Sequence, residues 1–150
     1  MCEVEVNGLT GEHRVCRVDI LHDVGTSLVP SIDRGQVEGG FVQGMGWLTC
    51  EEVLTTPDGQ PITVGPSTYK IPAIGDVPLD FRVELLPRAP QPGVIHGSKA
   101  VGEPPFMLAI GVVTALRHAI GGFGPGEVEL ALPATPEAIL RAVEAQKPSA

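Results

Sequence analysis

The chain has 150 residues, enough for one domain with a buried core and too few for several. With 43% hydrophobic and 19% charged residues and a mean hydropathy of +0.18, it is not an acidic disordered segment. A net charge of −8 argues against nucleic acid or an anionic membrane surface as the principal partner.

Glycine (19) and proline (15) follow no strict period, which excludes a collagen-like chain and points to a backbone rich in turns and close approaches. No run reads as a membrane span, and Met1 to Val6 carries no signal-peptide pattern, so the expectation is a soluble, unsecreted, cytoplasmic chain. Cys2, Cys16 and Cys50 lie far apart with no C-x-x-C spacing and read as reduced thiols used as small hydrophobes. None of His13, His22, His96 and His118 stands three or four residues from another, so no helix presents a histidine pair to a metal. There is also no G-x-S-x-G elbow for a serine nucleophile.

In chain order, Glu3 to Val6 alternates polar and apolar, Asn7-Gly8 is a turn pair, and Arg14 to Leu21 resumes strand composition. This is a hairpin of loosely specified register, opening so abruptly that its strand is expected to join a larger sheet. Asp23 to Ser27 is a loop. Pro30-Ser31-Ile32-Asp33 starts a helix that runs to about Leu48, with Val37, Phe41, Met45 and Leu48 as its apolar stripe.

That helix also holds Gly35, Gly39, Gly40, Gly44 and Gly46, each costing about 1 kcal/mol relative to alanine. Either small residues let another backbone pack closely, or a helix face lies against a cofactor. The Gly39 to Gly46 interval is not a phosphate loop, because Met45 stands where the lysine is needed. Gln36 and Gln43 are amides that need partners if buried. Glu38, Glu51 and Glu52 read as solvated or capping acids.

Glu51 to Thr56 and the stretch after Pro57-Asp58-Gly59-Gln60 suggest a second hairpin, and Gly65 to Pro72 a rigid irregular passage. Asp80 to Leu86 alternates as a strand, residues 87–93 form a loop, and Val94-Ile95 is a short extended piece. A strongly apolar helix is expected from about Phe106 to Ile120, ended by Gly121-Gly122. Thr135 caps a last helix with Pro136 in its first turn. Two hairpins and three helices without a βα repeat make an α+β fold.

Glu103 stands out by position, between Gly102 and Pro104-Pro105 at the mouth of the apolar helix. A carboxylate held with so little freedom suits a general base, and it equally suits a first-turn acid favoured by the helix dipole. Lys99, four residues earlier, is either a surface lysine or the partner of a phosphate or carboxylate.

Four ordered blocks carry a resemblance. They are Asp23-Val-Gly-x-Ser27; Pro30-x-Ile-Asp33-x-Gly35-Gln36-Val-Glu38-Gly39-x-Phe41-Val-Gln43-Gly44-x-Gly46; Pro66-Ser-Thr-Tyr69-Lys70-Ile-Pro72; and Ser98-Lys-Ala-Val-Gly-Glu103-Pro-Pro105. In that order the chain resembles the last part of the molybdopterin-binding domain of the xanthine dehydrogenase family of molybdenum hydroxylases. The closing Leu132 to Leu140 is similar to the C-terminal end of bacterial members.

The resemblance implies that Glu103 is the catalytic base, that Gln36 hydrogen-bonds at the molybdopterin, and that Gly102 sits beside the metal centre. Ser98 and Lys99 fall at cofactor-binding positions. It implies base-assisted hydroxylation of an electron-poor carbon of a purine, xanthine or hypoxanthine, with electrons leaving through iron–sulfur centres and FAD held elsewhere.

Family large subunits are several times longer, and their purine-gripping segments have no counterpart here. Residues 1–150 therefore read as a single partial domain, with 121–150 a tail carrying one helix. The expected partners are the rest of the molybdopterin-binding subunit and an iron–sulfur/flavin subunit. The competing expectation is a non-catalytic module or inactive truncated product that docks on a partner chain.

Overall fold

The computed structural model describes residues 1–87 and 91–147. The loop expected over 87–93 includes residues 88–90, and the tail includes 148–150; these lie outside the described residues.

The opening hairpin forms as the alternation predicts. Strand β1 (Cys2–Val6) pairs antiparallel with β2 (His13–His22). The register slips between Glu3, opposite Arg17, and Val4, opposite Val15, which leaves Cys16 as a bulged extra residue. The bulge turns Val15 and Val18, three residues apart, to the same buried side.

From Pro30 to Thr49 the chain forms α1, whose Val37, Phe41, Met45 and Leu48 are buried as the stripe requires. It has no side-chain N-cap, although the Ser27 hydroxyl donates to Asp33 in its first turn.

Strand β3 (Asp80–Leu85) then pairs with β2 in parallel, Arg17 opposite Asp80 and Ile20 opposite Val83. The sheet order is β1-β2-β3, and β2–α1–β3 is a crossover unit. One βα crossover is not a repeat, so the α+β expectation holds, and the parallel direction of β3 was not foreseen. Alternation reports which residues face the core, and says nothing of the direction of the neighbouring strand.

The expected second hairpin is corrected: it reduces to one bridge between Thr55 and Pro61. Pro61 has no N–H to extend a ladder, and Thr56 holds the turn by itself through bonds to Asp58 and Gln60. Residues 65–72 carry no strand or helix, in line with expectation. Ile95–Gly97 is a single 3-10 turn rather than an extended piece, with His96 at φ +54°.

The apolar helix begins as a 3-10 segment, Pro104–Ala109, and continues as α2 (Ile110–Gly121). Together they make 18 residues of mean hydropathy 1.3, long and apolar enough by length and composition to cross a membrane, contrary to the expectation of no such run. Its Val112, Leu116 and Ile120 are fully buried in the core of this fold. Helix α3 (Pro136–Gln146) is capped by Thr135, whose hydroxyl accepts from the Ala138 amide at 3.3 Å, and it buries Ile139 and Val143.

One core unites Val15, Val18, Ile20 and Val83 of the sheet with the stripes of all three helices. Phe41 meets the partly buried Phe81 at 5.4 Å between ring centroids. Burying a side chain of this size contributes about 2–3 kcal/mol, and such residues hold α1 despite its glycines.

Candidate functional site

The glycines of α1 divide into two sets. A Cβ on Gly40 would stand 3.0 Å from the Gly102 carbonyl oxygen and 3.3 Å from Pro105 Cβ. One on Gly44 would strike the Phe106 carbonyl oxygen and lie 2.9 Å from Ala109 Cβ. One on Gly46 would strike Pro72. Close backbone packing therefore accounts for Gly40 and Gly44 and seats segment 102–109 on the helix, while Gly46 makes room for the Pro72 ring and the Glu51 side chain. A Cβ on Gly35 or Gly39 would have nothing within 4 Å among the described residues, so at these two positions no described residue covers the helix.

This seam brings three of the predicted residues together. A Cβ on Gly102 would lie 3.2 Å from Gln36 Oε1, and Glu103 follows as the N-cap of the 3-10 segment, its carbonyl accepting from the Phe106 amide at 3.1 Å. Gln36, Gln43 and Glu103 are exposed, so neither amide is the buried group that would require a partner inside the chain. Among the described residues the Glu103 side chain makes no hydrogen bond or ion pair.

Ser98 and Lys99 lie on a different support, the loop after β2. Ser98 bridges Gly25, and the Lys99 amide donates to the Val24 carbonyl at 2.9 Å. The Lys99 ammonium binds the Asp23 carboxylate, which also accepts from the Gly25 amide at 2.8 Å. These two bonds, the lysine first, hold the Asp23 carboxyl below the ordinary range of an aspartic acid. Adjacent His22 is kept below the usual imidazole value by burial, and its Nε2 is buried without a partner among the described residues.

Sequence reasoning missed Asp23. An Asp two residues before a Gly is an Asx-turn signal, but nothing local announces a lysine 76 residues away. It also missed that Tyr69 donates to Glu51, a bond that raises the phenol's pKa, and that Trp47 stacks on Phe106 at 5.3 Å. The three cysteines are free and half-buried, with the Cys2 and Cys50 thiols raised by burial. Among the described residues no group of three His, Cys, Asp or Glu side chains gathers as a metal-binding set.

Residues 1–78 match the family model of the molybdopterin cofactor-binding domain. The chain is 59% identical over 118 residues to a xanthine dehydrogenase of Dictyostelium discoideum, covering 79% of this chain and 9% of that protein. It is 50% identical over 147 residues to the xanthine dehydrogenase/oxidase of Rattus norvegicus, covering 93% and 11%. The structure superposes on quinoline 2-oxidoreductase from Pseudomonas putida 86 with a TM-score of 0.86 at 34% identity, over 96% of this chain and 18% of that one. The chain thus spans about a tenth of the length of the curated relatives it matches. With an α+β architecture shared with quinoline 2-oxidoreductase and half its length matched by the cofactor-binding model, the chain belongs to the xanthine dehydrogenase family, as a portion of its molybdopterin-binding domain.

Proposed function

We propose that this chain supplies the base-bearing portion of a cytoplasmic molybdenum hydroxylase that oxidises an electron-poor carbon of a purine, with xanthine or hypoxanthine as substrate. The observation that carries the reading is the close approach of Gln36 to Gly102 at the seam between α1 and segment 102–109, with the exposed Glu103 next in the chain. The names of the relatives support the substrate class.

The residues present fit a molybdopterin. Gln36 offers both a donor and an acceptor at an exposed position, and the backbone at Gly35 and Gly39 is open to a flat ligand. A chain with no side-chain metal set among its described residues suits an ion that arrives with its own organic ligand. Gln36 and the Gly102 backbone would contact the cofactor, with Ser98 farther along the same loop. When bound, molybdenum–molybdopterin supplies oxygen-transfer and two-electron redox chemistry that side chains lack.

The net change is a C–H bond plus water becoming C–OH, two protons and two electrons. Glu103 takes one proton. Its carboxylate is available because no cation among the described residues occupies it, and the Gly102 and Pro104 neighbours hold its backbone. The electrons leave to iron–sulfur centres and FAD on other domains or subunits.

The same seam exposes Trp47, Met107 and Ile110, each about half accessible. Such apolar area favours burial against the rest of the molybdopterin-binding subunit. The chain purified alone should therefore self-associate, hold no molybdenum and leave purines unchanged, which analytical ultracentrifugation with metal analysis tests together.

Glu103→Gln in the molybdenum-loaded holoenzyme decides the central assignment. The amide keeps the shape and cannot accept the proton, so turnover should fall roughly 10²–10⁴-fold with molybdenum content unchanged. Retention of more than about a tenth of the turnover, against that expected loss of general-base catalysis, would overturn the reading.

A further inference from the structure

The loop that leads into Glu103 is fastened at one end by a clamp that the proposed chemistry does not use. The Thr26 amide donates to the Gly97 carbonyl at 2.7 Å, the Lys99 amide donates to the Val24 carbonyl at 2.9 Å, and Ser98 bridges Gly25. Gly25 and Gly97 both sit at left-handed φ (+63° and +68°), and a Cβ on Gly25 would strike the Gly97 carbonyl oxygen. The two strands of chain therefore touch backbone to backbone. Val24, at 1% exposure, anchors the lower one in the protein interior.

Asp23 closes this clamp from the side. One carboxylate oxygen, Oδ1, takes the Gly25 amide and shapes the lower loop, while Oδ2 takes the Lys99 ammonium of the upper one. Both side chains are only about a third exposed, at 38% and 34%. The far end of the loop is seated on Gly40 and Gly44 through Gly102, Pro105 and Phe106. Glu103 thus stands between two supports, with Lys99 four residues before it.

Resting on the assignment of Glu103 as base, we infer that Asp23 and Lys99 are positioning residues whose ion pair fixes the loop carrying that carboxylate, so that Lys99 acts through Asp23 rather than by contact with cofactor or substrate. The lysine's charge is already engaged, and Asp23 spends its second oxygen on the backbone beneath. Removing either partner frees the same stretch, residues 97–103, to shift. Misplacing a catalytic group by about 1 Å costs on the order of 10²-fold in rate, and a loop still held by its backbone bonds shifts less.

The test compares Asp23→Asn, Lys99→Met, the double variant and Lys99→Arg in the molybdenum-loaded holoenzyme. Each single variant should lower kcat about tenfold and change KM less than about twofold, because an interaction that positions a base acts on the transition state. The double variant should be no worse than the worse single, since both remove one interaction. Lys99→Arg, which keeps the charge, should restore most of the loss. Molybdenum content should stay full in all four, and backbone hydrogen exchange over residues 97–103 should accelerate in Asp23→Asn and Lys99→Met alike.

Multiplicative losses in the double variant would overturn the inference. So would loss of molybdenum in Lys99→Met but not in Asp23→Asn, which would make Lys99 a cofactor ligand, or unchanged kcat in both singles. Full activity of Glu103→Gln instead overturns the base assignment itself, whatever the pair does.

Discussion

The two sides of α1 use the same residue for opposite ends. On one side Gly40 and Gly44 are spaces filled by the backbone of segment 102–109; on the other, Gly35 and Gly39 have no described residue within 4 Å of where a Cβ would stand. The first pair converts lost helix propensity into close packing. The second pair costs propensity without such packing among the described residues, and under the proposed function its return lies in the cofactor it leaves room for. Position within a glycine-rich helix, rather than glycine content, separates scaffold from candidate site.

Four measurements break or sharpen that comparison. The largest effect is expected at the foundation of the packed side: Phe41→Ala, at 1% exposure, should destabilise the fold by about 3–5 kcal/mol in urea titration. A loss below about 1 kcal/mol, well under the usual cost of such a truncation, would show that the stripe does not carry the helix.

Gly44→Ala should cost about 1–3 kcal/mol despite the better helix former, because the new methyl meets the Phe106 backbone, which cannot swing aside like a side chain. A stabilised Gly44→Ala protein would erase the distinction between the two sides. Gly39→Ala should do the reverse and raise stability by about 1 kcal/mol. The same substitution should lower molybdenum content in the holoenzyme; full content would mean that this side meets something other than the cofactor.

The smallest effect comes from protons. Burial holds His13, beside Met45 and Thr49 of α1's packed side, below its usual value of 6.5, and does the same to His22. Their native forms refuse protons that the unfolded chain accepts, so stability is full above pH 6.5 and declines as pH falls below it. The melting temperature should be lower at about pH 5.5 than at about 7.5, and His13→Gln with His22→Gln should flatten the difference. The native carboxylates with lowered values, Asp23 among them, hold their contribution down to more acidic pH and do not enter this window.

What the residues disclose in advance follows from how local their causes are. The α1 stripe, the opening hairpin and the Thr135 cap depend on neighbours within a few positions, and all three are readable from spacing. The parallel partner of Asp80–Leu85 depends on a strand far upstream, which alternation does not encode. The apolar helix was legible from about Phe106, but its 3-10 opening at Pro104 fell in the expected loop, because two prolines supply no N–H to the first turn. At the site, the ordered blocks pointed to Glu103, Gly102 and Gln36, which the fold does gather. The partner of Lys99 was invisible, because an ion pair closed across the whole chain leaves no periodicity.

The parallel pairing of β2 with β3 has a consequence for how the molecule comes into being. Arg17 meets Asp80 only after the helix and the long irregular passage between them have been traversed. Closing so long a loop carries an entropic cost before any ladder bond is gained, whereas the β1–β2 hairpin and α1 are local and form early. During synthesis one margin of β2 stays bare until Leu85 has emerged. During that interval the unpaired backbone of His13–His22 is a template for the nascent chain of a neighbour. Polysome crowding and synthesis rate then bear on the yield of folded protein alongside its final stability.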